Sequence, residues 1–191
     1  MGKSASGKDH IYARLAAAQE LGLKKLVLYT TRPIRAEEEN GKQYYFVNEE
    51  KLEEFRKKKI LIEARKYTTM HGVWTYFTAD DGQVDLKQGN YLGIGTLESY
   101  VKMREYYGAE ALCPVYIEVE DGERLMRAIA RERQQEVPKY EEMCRRFLAD
   151  SADFSEAKLA EAGIERRFTN NDFGETVREV TAYIADSIAA E

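Results

Sequence analysis

The sequence predicts an α/β fold in which a parallel sheet is covered by helices on both faces. Short apolar segments such as residues 24–31 and 111–119 alternate with amphipathic segments such as residues 173–189. This order is typical of parallel sheets. A glycine-rich loop of the phosphate-binding type stands directly before the first predicted helix. The composition, 43% hydrophobic and 33% charged, indicates a globular chain rather than a disordered one.

Length, charge and apolar runs limit the domain number and the kinds of partner. The 191 residues suit one domain, and the formal charge of −5 argues against a protein that coats DNA. No apolar run approaches the roughly 18 residues of a membrane-spanning helix, and no apolar signal segment is present. Cys113 and Cys144 stand among apolar residues, which predicts reduced core thiols in a cytoplasmic protein. We expect a monomer or homodimer without nucleic-acid or membrane partners.

The helices are predicted from apolar residues three or four apart and from end signals. Asn48 is typical of a helix start, and Gly22 and Gly163 are typical of helix ends. The predicted helices span residues 9–22, 48–59, 96–108, 121–134, 139–150, 153–162 and 173–189. The strands are predicted from short apolar or β-branched runs. The predicted strands span residues 24–31, 44–47, 60–65, 73–78, 90–95, 111–119 and 167–169.

The glycine-rich loop that opens the sequence fits the pattern G-x-x-x-x-G-K. Small residues let successive backbone N–H groups curl around a phosphate, and the following helix adds the partial positive charge of its N-terminus. Lys8 is placed to reach the β- and γ-phosphates of a nucleotide. The loop residues expected to hold the nucleotide are Gly2, Ser4, Ala5, Ser6, Gly7 and Lys8. The alternative is a flexible glycine- and serine-rich tail.

The two residues after this lysine depart from the usual pattern. Asp9 stands where a serine or threonine hydroxyl usually ligates Mg²⁺. Its carboxylate is suited to hold Mg²⁺ directly or through water, although it would also repel a phosphate. His10 is able to donate a hydrogen bond to an α-phosphate. The alternative for His10 is an exposed residue in the first helical turn.

The segment before the loop is too short for a strand, although a phosphate loop normally connects a central β-strand to a helix. The sequence therefore predicts that the first strand is missing, through a start too far downstream or through truncation. Loss of a central strand exposes two sheet edges and removes a buried apolar row. We expect a chain extended by roughly eight upstream residues, about one strand, to be more stable.

A second constellation follows in the polar segment after residue 30. Arg32 and Arg35 lie on either side of a proline and form a basic fork suited to bidentate phosphate contacts. The segment TTRPIRAEEENGKQYYF resembles the TTRxPRxGExxGxxYxF segment of guanylate kinases. Its proline stands one place early, and Glu37 replaces a glycine. With the phosphate loop ahead of it, the resemblance extends over nearly the whole chain and is weaker in the middle.

The resemblance to guanylate kinases implies phosphorylation of GMP to GDP with ATP and Mg²⁺. It also implies one domain over residues 1–191, with a three-layer parallel-sheet core, a small insert that binds the nucleoside monophosphate and a mobile helical lid. The core would comprise residues 1–31, 90–126 and 147–191, the insert residues 32–89, and the lid residues 127–146.

The same resemblance implies roles for individual residues. Those expected to bind GMP are Thr30, Arg32, Arg35, Tyr44, Glu63, Tyr76 and Thr78. Glu63 and Thr78 would read the base, and the arginines and tyrosines would hold the phosphate. The residues expected to act in phosphoryl transfer are Lys8, Arg131, Arg133 and Arg146. Asn170 would contact adenine through its carbonyl group. Without the resemblance, Glu63 could equally be a solvated charged residue at the edge of a strand, and Tyr76 could be an ordinary aromatic residue of a sheet.

The middle of the chain leaves three interpretations open. Gly93 and Gly95 stand where the family usually has two aspartates, and Glu98 either substitutes for them or is a first-turn helix acid. The first interpretation is a GMP kinase, which Lys8 and the lid arginines favour. The second is a non-catalytic guanylate-kinase-like module for acidic or phosphorylated ligands, which the lost aspartates favour. The third is a kinase for a different small phosphorylated substrate.

Overall fold

The computed structural model describes residues 1–69 and 72–190 and confirms the mixed α/β class. The helices are α1 (Lys8–Ala16), α2 (Glu49–Lys57), α3 (Leu97–Tyr107), α4 (Asp121–Arg133), α5 (Tyr140–Asp153), α6 (Glu156–Glu161) and α7 (Phe173–Ala189). The strands are β1 (Lys24–Lys25), β2 (Tyr29–Thr30), β3 (Tyr45–Phe46), β4 (Leu61–Thr69), β5 (Gly72–Ala79), β6 (Tyr91–Leu92), β7 (Tyr116–Glu118) and β8 (Arg167–Thr169).

The chain divides into two compact units. The first, which we call the loop unit, comprises Met1–Gly22, Ile94–Val101 and Leu112–Glu191. The second, the hairpin unit, comprises Leu23–Gly93 and Lys102–Ala111. The sequence-based division into core, insert and lid stays a prediction.

The loop unit is built on β7 and β8, which pair in parallel with Ile117 opposite Phe168. The backbone of Met1 extends this pairing, since its nitrogen donates to the carbonyl of Val115 at 2.8 Å and its carbonyl accepts from the nitrogen of Ile117 at 2.9 Å. The apolar core beside these strands contains Leu97, Tyr116, Phe154, Leu159, Ala162 and Ile164. The parallel pair places the phosphate loop at the end of the Met1 segment; that a strand is missing before it stays a prediction.

The hairpin unit contains a four-stranded sheet in the order β3-β2-β5-β4. β2 pairs with β3 in parallel, whereas β5 is antiparallel to both β2 and β4. A separate parallel pair joins β1 and β6. The side chain of Asn48 caps α2 by accepting from the nitrogen of Lys51 at 3.0 Å, as predicted. The core of this unit contains Tyr29, Leu52, Phe55, Phe77 and Ala79.

Several sequence-based expectations were wrong in detail. Within the predicted α/β class, hydrogen-bonded pairing among the described residues gives two parallel pairs and one mixed sheet. The predicted strand 24–31 is split, because the nitrogen of Val27 donates to the side chain of Gln83 at 3.0 Å and leaves the ladder. α1 ends at Ala16, and Gly22 instead ends a 3₁₀ turn.

Both cysteines lie at the surface of the protein. Cys113 and Cys144 are exposed free thiols, so their expected place in the core was wrong. Apolar neighbours in sequence do not bury a residue whose own side chain lies on the outer face of its segment. Over the described ranges, every helix is too short or too polar to cross a membrane.

Candidate functional site

The phosphate loop has the backbone conformation that its glycines allow. Gly7 has a φ of 83° and stands directly before α1, and a Cβ atom there would lie 2.3 Å from Nδ2 of Asn170. A Cβ atom on Gly2 would lie 2.4 Å from the carbonyl oxygen of Ile117. Ala5 also takes a left-handed φ of 62°. The two glycines of the pattern are therefore required by close packing as well as by backbone conformation.

Three side chains of the loop unit hold the loop from outside. The carboxylate of Asp150 accepts from the backbone nitrogen of Ser4 at 2.7 Å. The side-chain nitrogen of Asn170 donates to the carbonyl of Ser6 at 2.8 Å. Arg146 lies with Nη2 3.5 Å from the hydroxyl of Ser4. These contacts fix the loop, and none of them was predicted from the sequence. Asp150 was not predicted as a site residue, because an acid in an amphipathic helix is usually solvated.

The basic and acidic groups at the start of α1 form a partly exposed pair. Nζ of Lys8 lies 3.3 Å from a carboxylate oxygen of Asp9, whose side chain is 76% exposed. His10 is also exposed. In the described part of the chain, groups of three or more histidine, cysteine or acidic residues that could hold a metal ion are absent. One accessible carboxylate at a phosphate loop nevertheless fits Mg²⁺, which usually takes one or two carboxylates together with water and phosphate oxygens.

The arginines predicted to act in catalysis are placed differently from one another. Arg146 is exposed on α5 and reaches the phosphate loop. Arg131 and Arg133 are exposed in the last turn of α4. Hydrogen bonds from either of these two to the loop are absent among the described residues. Arg127, on the same helix, instead donates to the carbonyl of Asn170 at 3.1 Å, so this carbonyl has a partner within the chain.

In the hairpin unit, Arg32 is a buried guanidinium that donates hydrogen bonds to three residues. Its two terminal nitrogens donate to the two carboxylate oxygens of Glu38 at 2.8 and 2.7 Å. Nε donates to the hydroxyl of Tyr76 at 3.1 Å, and Nη1 also donates to the carbonyl of Pro33 at 2.8 Å. The ring of Tyr44 lies 5.8 Å from this guanidinium. The structure therefore brings together Arg32, Tyr44 and Tyr76, three of the residues expected to hold the acceptor phosphate; that role stays a prediction.

Glu38 is the partner that the sequence analysis gave no role. Its side chain is 16% exposed and also accepts from the backbone nitrogen of Arg35 at 2.9 Å. The hydrogen bonds from Arg32 lower the pKa of Glu38 to about 2. Arg35 itself is exposed, and its side chain is available to a ligand at the rim of this cluster. The hydroxyl of Thr30 is buried and accepts from the nitrogen of Arg32, which makes Thr30 a support for the cluster.

A second polar cluster lies across β4 and β5. The carboxylate of Glu63 accepts from Nε of Arg65 at 2.9 Å and from Nη2 at 3.3 Å. It also accepts from the hydroxyl of Thr78 at 2.9 Å, because Glu63 and Thr78 are opposite each other in the strand register. The two residues expected to read the base, Glu63 and Thr78, therefore lie together, and that role stays a prediction; Arg65 was not singled out from the sequence.

The two glycines at the expected aspartate positions are closely packed. A Cβ atom on Gly95 would lie 2.4 Å from the hydroxyl of Ser99, in the loop unit. In the hairpin unit, a Cβ atom on Gly93 would lie 3.3 Å from Leu26. Glu98 is exposed in the first turn of α3. A side chain at either position would have to displace a neighbouring side chain, and the two aspartates of the family pattern have no direct replacement at these positions.

Comparisons with known proteins agree with the motif analysis. The family model described as guanylate kinase matches residues 1–76. A guanylate kinase from Porphyromonas gingivalis (strain ATCC BAA-308 / W83) is 27% identical over an alignment of 192 positions, which covers 97% of this chain and 94% of that protein. The crystal structure of guanylate kinase from Anaplasma phagocytophilum has a similar fold, with a TM-score of 0.59 at 22% identity, over 97% of this chain and 82% of that one.

Proposed function

We propose that the chain, which is similar to guanylate kinases over nearly its whole length, transfers the γ-phosphoryl group of ATP to a nucleoside monophosphate, and that it prefers GMP to AMP, CMP and UMP. The observation that carries the proposal is the phosphate loop, whose two pattern glycines leave no room for a side chain. Such a loop, at the start of a helix and followed by Lys8, is built to bind the phosphates of a nucleotide. We place this activity in the cytoplasm, in a monomer or a homodimer.

The loop unit supplies the groups for ATP. Backbone N–H groups of the loop other than those of Ser4 and Ser6, which have partners within the chain, bind the phosphates, while Asp150 and Asn170 keep the loop in shape. Lys8 neutralises charge on the β- and γ-phosphates, and Arg146 is close enough to the loop to stabilise charge on the transferred group. Asp9 is the candidate ligand for Mg²⁺, which supplies charge neutralisation between phosphate oxygens when it is bound.

The hairpin unit supplies the groups for the acceptor. Arg32 already binds two carboxylate oxygens of Glu38 side by side, and a phosphate presents two oxygens in the same manner. Tyr76 donates or accepts beside it, and Arg35 adds charge from the rim. Glu63 and Thr78 are the candidate groups for the base. This set supports a purine nucleoside monophosphate as the acceptor.

The test is phosphoryl transfer from ATP to GMP, AMP, CMP or UMP. Turnover is measured as the formation of ADP and of the nucleoside diphosphate. We expect turnover with GMP, and a loss of at least about 100-fold in kcat for Lys8→Met, because the lysine stabilises charge that develops in the transition state. Lys102→Met removes an exposed lysine of α3 and serves as the matched control. Turnover with none of these acceptors would overturn the kinase proposal.

A second candidate is a non-catalytic module that binds an acidic or phosphorylated ligand through the hairpin unit. The observation that favours it is that Gly93 and Gly95 stand where guanylate kinases usually have two aspartates. Neither position has free space for a side chain. In that case the chain binds a phosphorylated peptide without hydrolysing or transferring phosphate, and Lys8→Met leaves the affinity unchanged. The turnover assay and a peptide-binding titration together distinguish the two candidates.

A further inference from the structure

Arg65 donates hydrogen bonds to both oxygens of the Glu63 carboxylate, which is the group proposed to read the base. Arg65 and Glu63 lie two residues apart on β4, so their side chains extend from the same face of the strand. Nε of Arg65 donates to Oε2 at 2.9 Å, and Nη2 lies 3.3 Å from Oε1. The pair is deeply buried, with side-chain exposures of 9% for Arg65 and 2% for Glu63.

Thr78 takes up a further position on the same carboxylate. Its hydroxyl donates to Oε1 of Glu63 at 2.9 Å from the opposite strand. A carboxylate has about four lone-pair positions, two on each oxygen. Arg65 uses one on each oxygen, and Thr78 uses the second on Oε1. About one position therefore remains, and it lies on Oε2.

The edge of guanine presents two parallel donors, the N1–H group and the 2-amino group. A free carboxylate accepts both, with one donor on each oxygen, and this pairing distinguishes guanine from hypoxanthine, which lacks the 2-amino group. With Oε1 filled, Glu63 has room for one of the two donors only, and the N1–H group is the donor that guanine and hypoxanthine share. Resting on the proposed function, we infer that Arg65 is a specificity-determining residue that suppresses recognition of the 2-amino group, so that GMP and IMP are used nearly equally.

The next carboxylates along the chain are engaged as well. Asp80 and Asp81 follow β5 directly after Ala79. Asp80 accepts from the hydroxyl of Tyr106 at 2.7 Å, and Asp81 accepts from the hydroxyl of Tyr29. Each of these carboxylates already accepts from a tyrosine hydroxyl. Neither is therefore free to replace Glu63 as the acceptor for the 2-amino group.

The experiment measures kcat/KM for GMP and for IMP with ATP as donor, together with the dissociation constants of both acceptors by calorimetry. For the wild-type protein we expect GMP and IMP to differ by less than about threefold. Arg65→Met should raise the preference for GMP over IMP by about 10- to 100-fold, the effect of one regained hydrogen bond to a charged acceptor. Arg65→Lys, which keeps the charge but not the two-pronged contact, should give an intermediate ratio.

Lys66→Met is the matched control, because Lys66 is the exposed neighbour on the same strand and its loss should leave the ratio unchanged. A wild-type preference for GMP above about tenfold that Arg65→Met leaves unchanged would overturn the inference alone. If Arg65→Met does not fold, the wild-type ratio and Arg65→Lys decide the question. Absence of turnover with every monophosphate would overturn the proposed function and this inference with it.

Discussion

The contact between Gly7 and Asn170 makes a measurable prediction about the phosphate loop. Gly7→Ala adds a methyl group at a φ of 83°, 2.3 Å from Nδ2 of Asn170. Gly22→Ala is the matched control, since Gly22 also has a left-handed φ, 60°, but a Cβ atom there would meet nothing within 4 Å. The two substitutions therefore share the backbone strain, and only Gly7→Ala displaces a buried side chain.

The magnitudes follow from these two contributions to the free energy of unfolding. A non-glycine residue in the left-handed region costs about 1–2 kcal/mol, which is the whole cost expected for Gly22→Ala. Displacing Asn170 breaks its hydrogen bond to the carbonyl of Ser6 and leaves buried polar groups without partners, at a further cost of about 1–3 kcal/mol. Gly7→Ala should therefore cost about 2–5 kcal/mol in total.

Urea unfolding of the wild-type protein, Gly7→Ala, Gly22→Ala, Asn170→Ala and the double variant Gly7→Ala/Asn170→Ala measures these terms. In the Asn170→Ala background the clash is gone, so the cost of Gly7→Ala should fall to that of Gly22→Ala. Equal costs for Gly7→Ala and Gly22→Ala in the wild-type background would refute the reasoning. An undiminished cost of Gly7→Ala in the Asn170→Ala background would refute it equally.

Two further predictions concern the arginine cluster of the hairpin unit. Because Arg32 lowers the pKa of Glu38 from its ordinary 4.5 to about 2, the pair stabilises the protein fully above about pH 4.5, and this contribution is lost as the pH falls towards 2. Urea unfolding between pH 7 and 3 should therefore show the difference between wild type and Glu38→Gln shrinking on acidification; a constant difference would contradict it. Arg35→Ala should weaken GMP binding at least about tenfold and leave ATP binding unchanged in calorimetry, because we propose Arg35 as part of the acceptor site only. Arg56→Ala, an exposed arginine of α2, is the control, and equal losses for both nucleotides would contradict the assignment.

The parts of the fold that sequence predicted well are those in which the signal is local. Asn48 caps α2 with its own side chain, and the hydroxyl of Thr96 accepts from the nitrogen of Ser99 at 3.2 Å at the start of α3. The phosphate loop is local in the same sense, because the positive φ angles of Gly2 and Gly7, 156° and 83°, are backbone conformations that glycine adopts readily. Residue type alone carries this information, so no partner has to be known.

Strand pairing depended on contacts that the local sequence does not contain. The segments around Glu63 and Tyr76 were predicted as strands, but nothing in either segment states that they pair with each other in antiparallel fashion. The segment 24–31 was predicted as one strand, and its division depends on Gln83, more than fifty residues away. Register and sheet membership are set by packing between distant segments, and propensity is a weak guide to them.

Glu38 was missed for a different reason: it lies only six residues after Arg32, but residue types in a loop do not reveal which side chains pair. A fork of two arginines predicted a phosphate site, and the structure shows a carboxylate, Glu38, held in the geometry that a phosphate would take. Binding of an anion to Arg32 is therefore an exchange of one ligand for another rather than the filling of a bare charge. A phosphate monoester carries more negative charge than a carboxylate and presents more acceptor oxygens, which favours the exchange. The Glu38 carboxylate thus neutralises and orients the buried guanidinium of Arg32. An incoming anion has to bind Arg32 more strongly than Glu38 does.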